Sequence, residues 1–248
     1  LKDTGCCGAL DQHLGQAGQA RALAVANIDA MMAEIEGTGD GKSLDAVIIN
    51  ASGCGTTVKD YGHMFRDDPE RAEAAARVSA LASDVGEFAA GLELRAMVNG
   101  SGTSVVYQSA CSLRHGQKVD NALKELLKSC GFPVKDMAEG HLCCGSAGIY
   151  NILRPKTAAR LRTRKLDHIK AAGTDVVASG NIGCIAQLGP AADRPVLHTV
   201  ELLDWATGGP EPPALAGHRV DEANGRIQEL AGHQGGDQDR PARGETAR

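Results

Sequence analysis

Eight cysteines, at positions 6, 7, 54, 111, 130, 143, 144 and 184, are the residues best able to do chemistry in this 248-residue sequence, and their spacing is more informative than their number. Four of them form two vicinal pairs, Cys6-Cys7 and Cys143-Cys144, each followed directly by glycine. Adjacent cysteines close a disulfide only with strain, which speaks against a simple disulfide framework. In a reducing compartment the remaining uses are metal binding, redox catalysis and burial. Thiolates are soft donors that suit iron-sulfur clusters, zinc and monovalent copper, and glycines beside them let the backbone approach an inorganic core. Gly5, Gly8, Gly53, Gly55, Gly145 and Gly183 stand beside the cysteines in this way.

The elements that must position these thiols are repeated. Cys6-Cys7-Gly8 is followed by a helical stretch from about Gln19 to Glu36 and then by DAVIINASGC at Asp45 to Cys54. Cys143-Cys144-Gly145 is followed by a helical stretch from about Lys156 to Ala171 and then by DVVASGNIGC at Asp175 to Cys184. In each half an aspartate opens a β-branched run that ends in Gly-Cys, the pattern of a buried strand leading into a glycine turn. So long a period is the mark of a duplicated domain rather than a solenoid. Each half reads as a Cys-Cys loop, a helix, a strand and a Cys loop.

Between the halves, Pro69 to Ala90 reads as one helix, with Val78, Leu81, Val85 and Phe88 at helical spacing behind a proline suited to a first turn. Ser104 to Gln108 is a strand candidate, and Lys118 to Cys130 a helix with Leu123, Leu126 and Leu127 on one face and Gly131 at its C-terminal cap. Strands alternating with helices predict an α/β chain of two tandem, related cysteine-rich domains, each with a small, mainly parallel sheet flanked by helices. The expected boundaries are 1–95 for the first and 96–206 for the second. Residues 207–248 turn polar and rich in glycine and proline, which predicts a disordered tail with one marginal helix between Asp221 and Leu230.

Composition excludes several functions. A net charge of -5 with both signs interspersed gives no field to hold nucleic acid. Aromatic residues make up 3%, so stacking platforms for bases or flat cofactors are scarce. No apolar run approaches the roughly 20 residues of a transmembrane helix. The opening LKDTGCCGAL has neither the basic start nor the apolar core of a signal peptide, and a reducing, cytoplasmic setting is expected. The true start of the protein is expected upstream of Leu1. His13, His63, His115 and His141 fall in the motif loops, where hydrogen bonding to backbone is the default over ligation. Arg114 and Lys59 could offset the charge of a thiolate-bound cluster, and Cys130 is expected to be a buried structural thiol.

SACSLRHGQ at Ser109 to Gln117, HLCCGSAGIYNIL at His141 to Leu153 and NIGC at Asn181 to Cys184 resemble the CCG cysteine-rich domain. That domain is shared by the B subunit of heterodisulfide reductase and the iron-sulfur subunits of glycolate, lactate and glycerol-3-phosphate dehydrogenases. GCCGALDQHLG at Gly5 to Gly15 and NASGCGTTVKDYGH at Asn50 to His63 extend the likeness to the first half, and the whole looks most like the glycolate oxidase iron-sulfur subunit, without its amino-terminal ferredoxin-type region. The resemblance implies an electron-transfer subunit, not catalytic alone. Its partners would be flavin-binding subunits that oxidise glycolate or a similar 2-hydroxy acid, with a quinone or other acceptor at the level of the complex. Such a complex could sit at the inner face of the membrane, and the flavin would lie on the partner. The implied ligands are Cys111, Cys143, Cys144 and Cys184, with Cys6, Cys7 and Cys54 as the related first-half set.

The sequence departs from the family pattern where a closing Cys-x-x-Cys has Ala51 in the first half and Asn181 in the second. Five thiolates per domain would hold the family's noncubane double cluster, whereas four are the usual complement of a [4Fe-4S] cluster. A catalytic heterodisulfide-reductase-like subunit and a zinc-stabilised interaction module are the competing readings.

Overall fold

The computed structural model describes residues 3–37, 44–97 and 102–215, together with the backbone of 218–221 and 226–229. The first half runs through α1 (Ala9–His13), α2 (Ala17–Ile35), β1 (Val47–Ile49), α3 (Ser52–Lys59), α4 (Tyr61–Met64), α5 (Ala72–Leu81), β2 (Ala82–Asp84) and α6 (Val85–Ala90). Strands β1 and β2 pair in parallel, Val47 opposite Ala82 and Ile49 opposite Asp84. The second half runs through β3 (Val105–Gln108), a π-helical segment (Ser112–Gln117), α7 (Asp120–Ser129), β4 (Val134–Lys135), α8 (Tyr150–Leu153), α9 (Pro155–Ala172), β5 (Val176–Ser179), α10 (Ile182–Leu188), β6 (Val196–His198) and α11 (Thr199–Ala206). Its four strands lie in the order β4-β3-β5-β6, all parallel. Mixed α/β halves with small parallel sheets agree with the pattern of the sequence.

Each half has its own core. In the first, Ala24, Ile28, Met31 and Ile35 present one face of α2 to Val47, Val58, Tyr61, Phe65 and Val78. In the second, every residue of β3 and β5 is buried, as strands covered on both faces must be, and Leu123, Leu127 and Ile169 close over them from α7 and α9. Past residue 206, Leu215 also packs into this core.

The segment expected as one helix from Pro69 to Ala90 is two helices with a strand between them. The reason is a capping box: Asp84 accepts from the Gly86 N–H at 2.9 Å, and Glu87 reaches back to the Asp84 N–H at 3.2 Å, which starts a new helix. The preceding residues are released to pair with β1. The same device recurs at the end of the second half, where His198 accepts from the Val200 N–H and Glu201 accepts from the His198 N–H. The repeat therefore extends further than its cysteines: β2-α6 corresponds to β6-α11. The other ring nitrogen of His198 lies 2.8 Å from the Asn50 carbonyl and links β6 to the end of β1.

Asp84 also sets a pH dependence. It is 1% exposed, and its Oδ2 has no hydrogen-bond partner among the described residues. Burial raises its carboxyl above the ordinary 3.8, against the pull of His198 and Lys59 and with a push from Glu87. The folded state thus binds this proton more tightly than the unfolded chain, so its contribution is complete below the unfolded value and lost as pH rises through the raised one. Asp84→Asn keeps the cap acceptor and removes the charge. The variant is expected to be at least as stable as the parent at pH 7 and to lose less stability between about pH 4 and pH 7, read by denaturant midpoints. A lower midpoint at pH 7 would show that the ionised carboxylate is needed.

Residues 218–221 and 226–229 pair as antiparallel strands, with Val220 opposite Ile227; of the marginal helix expected between Asp221 and Leu230, 226–229 is strand and 222–225 lies outside the described residues. β-branched residues favour the extended chain. The remainder of the expected tail beyond residue 215 lies outside the described residues. Among the described residues no helix is long and apolar enough to cross a membrane.

Candidate metal centre

Strand order decides where the chemistry sits. From β3 the chain passes through α7 to β4 on one side, and from β4 it returns through α9 to β5 on the other side of β3. The connections leaving β3 and β5 diverge, which opens a crevice beyond their C-terminal ends. Cys111 lies three residues beyond β3, and Cys184 five residues beyond β5. The long connection between β4 and α8 brings Cys143 and Cys144 to them.

The four thiols form a continuous chain of contacts. Cys111 meets Cys143, Cys143 meets Cys144, and Cys144 meets Cys184 at 3.2 Å between sulfurs. All are free thiols. Cys144 and Cys184 are each 2% exposed, while Cys111 opens to solvent. Three N–H groups point at sulfur: Gly145 N to Cys143 at 3.3 Å, Ser146 N to Cys144 at 3.5 Å, and Asn181 Nδ2 to Cys184 at 3.6 Å. Close contact with Cys111 and Cys144 holds the Cys143 thiol far below its usual range, and contact with Cys144 lowers Cys184. Cys111 and Cys144 are pushed up, as the members of the chain that keep their protons.

The first half repeats this frame with fewer sulfurs. Cys7 and Cys54 are hydrogen-bonded, which lowers Cys54 to about 7 and raises Cys7, and exposed Cys6 acts on Cys54 through its charge. Asn27 binds the loop at both edges, accepting from Gly5 N at 2.8 Å and donating to the Cys6 carbonyl at 2.8 Å, and the Tyr61 hydroxyl donates to the Cys7 carbonyl at 2.9 Å. Among the described residues no three His, Cys, Asp or Glu side chains are arranged around a single-ion site.

One steric rule builds both Cys-Cys-Gly turns. Gly8 has φ 82° and Gly145 φ 94°, and a Cβ at either would stand 2.8 Å from the Ala20 carbonyl oxygen or 2.6 Å from that of Ala158. The loop must lie flat on the helix that follows, so only glycine fits.

Several expectations shift. Cys54 and Cys184 lie in the first turns of α3 and α10 rather than in loops. There the free N–H groups of a helix start favour a thiolate. His13, His63, His115 and His141 are all exposed. Lys59 is engaged by Glu87. Cys130 is fully buried in the second core at the end of α7. The residue that sequence reasoning missed is Lys165, whose Nζ donates to the carbonyls of Gly140 and Leu142 at 2.9 Å each. Its signal was a charged residue seven after Ala158 and four before Ile169, on the buried stripe of α9.

The two halves meet at these loops. Ser52 Oγ lies 2.6 Å from Ser112 Oγ, Gln117 Nε2 donates to the Ser52 carbonyl, and the Ser52 N–H donates to the Gly180 carbonyl. A soft set of four thiols with N–H donors aimed at sulfur is the donor chemistry an iron-sulfur cluster requires.

The model of the CCG cysteine-rich domain matches residues 1–59 and 105–189, covering both sets of cysteines. The chain belongs to the CCG cysteine-rich domain family. It is 34% identical over 204 residues to the glycolate oxidase iron-sulfur subunit of Escherichia coli, a match that covers 82% of this chain and 49% of that protein. It is likewise 34% identical over 213 residues to the probable glycolate oxidase iron-sulfur subunit of Bacillus subtilis, covering 82% of this chain and 46% of the relative. The chain thus spans about half the length of these two relatives. Lactate utilization protein A of Geobacillus thermodenitrificans is 26% identical over 172 residues, 64% of this chain and 70% of that protein. Asn181, just before α10, supplies an amide donor to Cys184.

Proposed function

We propose that this chain is the iron-sulfur electron-transfer portion of a complex of the glycolate oxidase type, with a [4Fe-4S] cluster bound by Cys111, Cys143, Cys144 and Cys184. The observation that carries this reading is the convergence of four thiols at the crevice between β3 and β5, in a chain so similar to glycolate oxidase iron-sulfur subunits. A bound cluster would supply one-electron redox chemistry at this site. The residues of the chain would hold it through four sulfurs, and the Gly145, Ser146 and Asn181 donors would tune it. Oxidation of glycolate or a similar 2-hydroxy acid would occur at a flavin on a partner subunit, because two-electron substrate chemistry belongs to that cofactor. A quinone or other acceptor would take the electrons at the level of the complex. In the first half Cys6, Cys7 and Cys54 would be the related thiols, one fewer than the second half offers.

Anaerobic reconstitution with ferrous iron and sulfide tests this, followed by metal and acid-labile sulfide analysis and electron paramagnetic resonance of the reduced protein. The expected result is about four irons and four sulfides per chain with a cluster signal. Zinc bound in preference, with no iron or sulfide retained, would overturn the reading.

A further inference from the structure

Lys165 differs from the other cations near the cysteines in being completely buried. Its side chain runs inward from α9, and Nζ ends on the carbonyls of Gly140 and Leu142, the latter the residue before Cys143. An ammonium group kept from water needs compensating charge as well as hydrogen bonds. Burial works against its charge and Arg114 adds to that, while the sulfurs of Cys184, Cys144 and Cys143, as thiolates, would support it. Neighbouring residues of the same helix brace the loop differently: Arg164 and His168 both engage Glu139. Lys165 instead donates to the backbone that leads into Cys143.

The internal repeat supplies the control. Ala20 on α2 and Ala158 on α9 are the residues whose carbonyls lie against the Cys-Cys-Gly glycines, Gly8 and Gly145. Two helical turns further, seven residues in each case, stand Asn27 and Lys165. Both are buried and both donate to the backbone at the entrance to the vicinal cysteines, Asn27 to the Cys6 carbonyl and Lys165 to the Leu142 carbonyl. A neutral amide therefore suffices to hold the loop, as the first half demonstrates. The second half spends a buried cation on the same task, beside four thiols rather than three.

We propose that Lys165 is a positioning and charge-compensating residue for a cluster on Cys111, Cys143, Cys144 and Cys184, and that its charge raises the reduction potential of that cluster above what an Asn27-like amide would give. The inference rests on the proposed function. A positive charge held on the loop that carries the ligands favours the more negative, reduced state, so removing it moves the couple down. Carbonyl hydrogen bonding alone leaves the potential where it is.

The test uses the full chain, reconstituted with ferrous iron and sulfide, in wild-type, Lys165→Gln and Lys165→Arg forms, with redox titration followed by electron paramagnetic resonance. At the wild-type midpoint, Lys165→Gln is expected to show at least a tenfold lower ratio of reduced to oxidised cluster, which for a one-electron couple is a shift of about 59 mV to more negative potential. Lys165→Arg is expected to restore the ratio. If Lys165→Gln folds by circular dichroism but binds no cluster while Lys165→Arg binds one, the charge requirement is again supported. A loaded Lys165→Gln with an unchanged midpoint overturns the proposal, as does parallel loss of folding in both variants, which makes the lysine a packing residue. A wild-type chain that retains no cluster fails the proposed function itself and is recognised before any variant is compared.

Discussion

Cys144→Ser is expected to abolish cluster binding by the reconstituted chain, with iron content reduced to background and the electron paramagnetic resonance signal lost. Cys144 is an inner member of the thiol chain, touching Cys143 on one side and Cys184 on the other. It is 2% exposed, so no solvent ligand can readily take its place. A serine oxygen is a harder donor, matched to harder cations than cluster iron. Substitution of a thiol outside the site gives the contrast. Cys130→Ser places a hydroxyl in the second core and is expected to reduce stability by about 1–3 kcal/mol through the buried polar group, while leaving iron content intact. Equal signals from the parent and Cys144→Ser would remove this residue from the ligand set. Equal loss in the two variants would show that the signal reports folding and not ligation.

Gly145→Ala is expected to cost about 2–5 kcal/mol of folding stability, combining a left-handed backbone at a residue with a side chain and overpacking of the new methyl. The Cβ would sit 2.6 Å from the Ala158 carbonyl oxygen, which α9 holds rigidly, and 3.2 Å from the Gln187 amide. Gly173→Ala provides the comparison, because that glycine has φ 58° with nothing within 4 Å of the added atom. Its expected cost is about 1 kcal/mol, the backbone preference alone. Denaturant midpoints separate the two, since the difference is a large part of a typical domain stability of about 5–15 kcal/mol. Equal midpoints would mean that the Cys-Cys-Gly loop lifts from its helix at little cost. Gly8→Ala is predicted to behave like Gly145→Ala in the first half, with its contact at 2.8 Å to Ala20.

The repeat was legible because local pattern carries it. An aspartate, a β-branched run and Gly-Cys mark each strand, and α2 and α9 fall within two residues of the stretches read as helical. The split of Pro69 to Ala90 was not legible from periodicity, since Val78, Leu81, Val85 and Phe88 keep helical spacing across the break. Asp84 and Glu87 carried the signal for it, as a capping pair inside an apparently continuous helix. Lys165 was hidden in another way. A lysine among the basic residues of α9 looks like part of a solvated face, and only the packing of α9 against the loop from Gly140 to Leu142 turns that one inward.

The sequence by itself determined the chemistry and the inventory: which residues are soft donors, that they come in two related sets, and that a glycine follows each vicinal pair. These follow from residue type and near-neighbour spacing, which no fold is needed to read. Tertiary structure decided the grouping. Cys111 and Cys184 become neighbours because β3 and β5 are adjacent in the sheet, although β4 lies between them in sequence. Strand order depends on long-range burial of both faces of the sheet, which local propensity does not encode. The same packing gave Lys165 its buried place against the Gly140 and Leu142 carbonyls and left the corresponding place in the first half to the neutral Asn27.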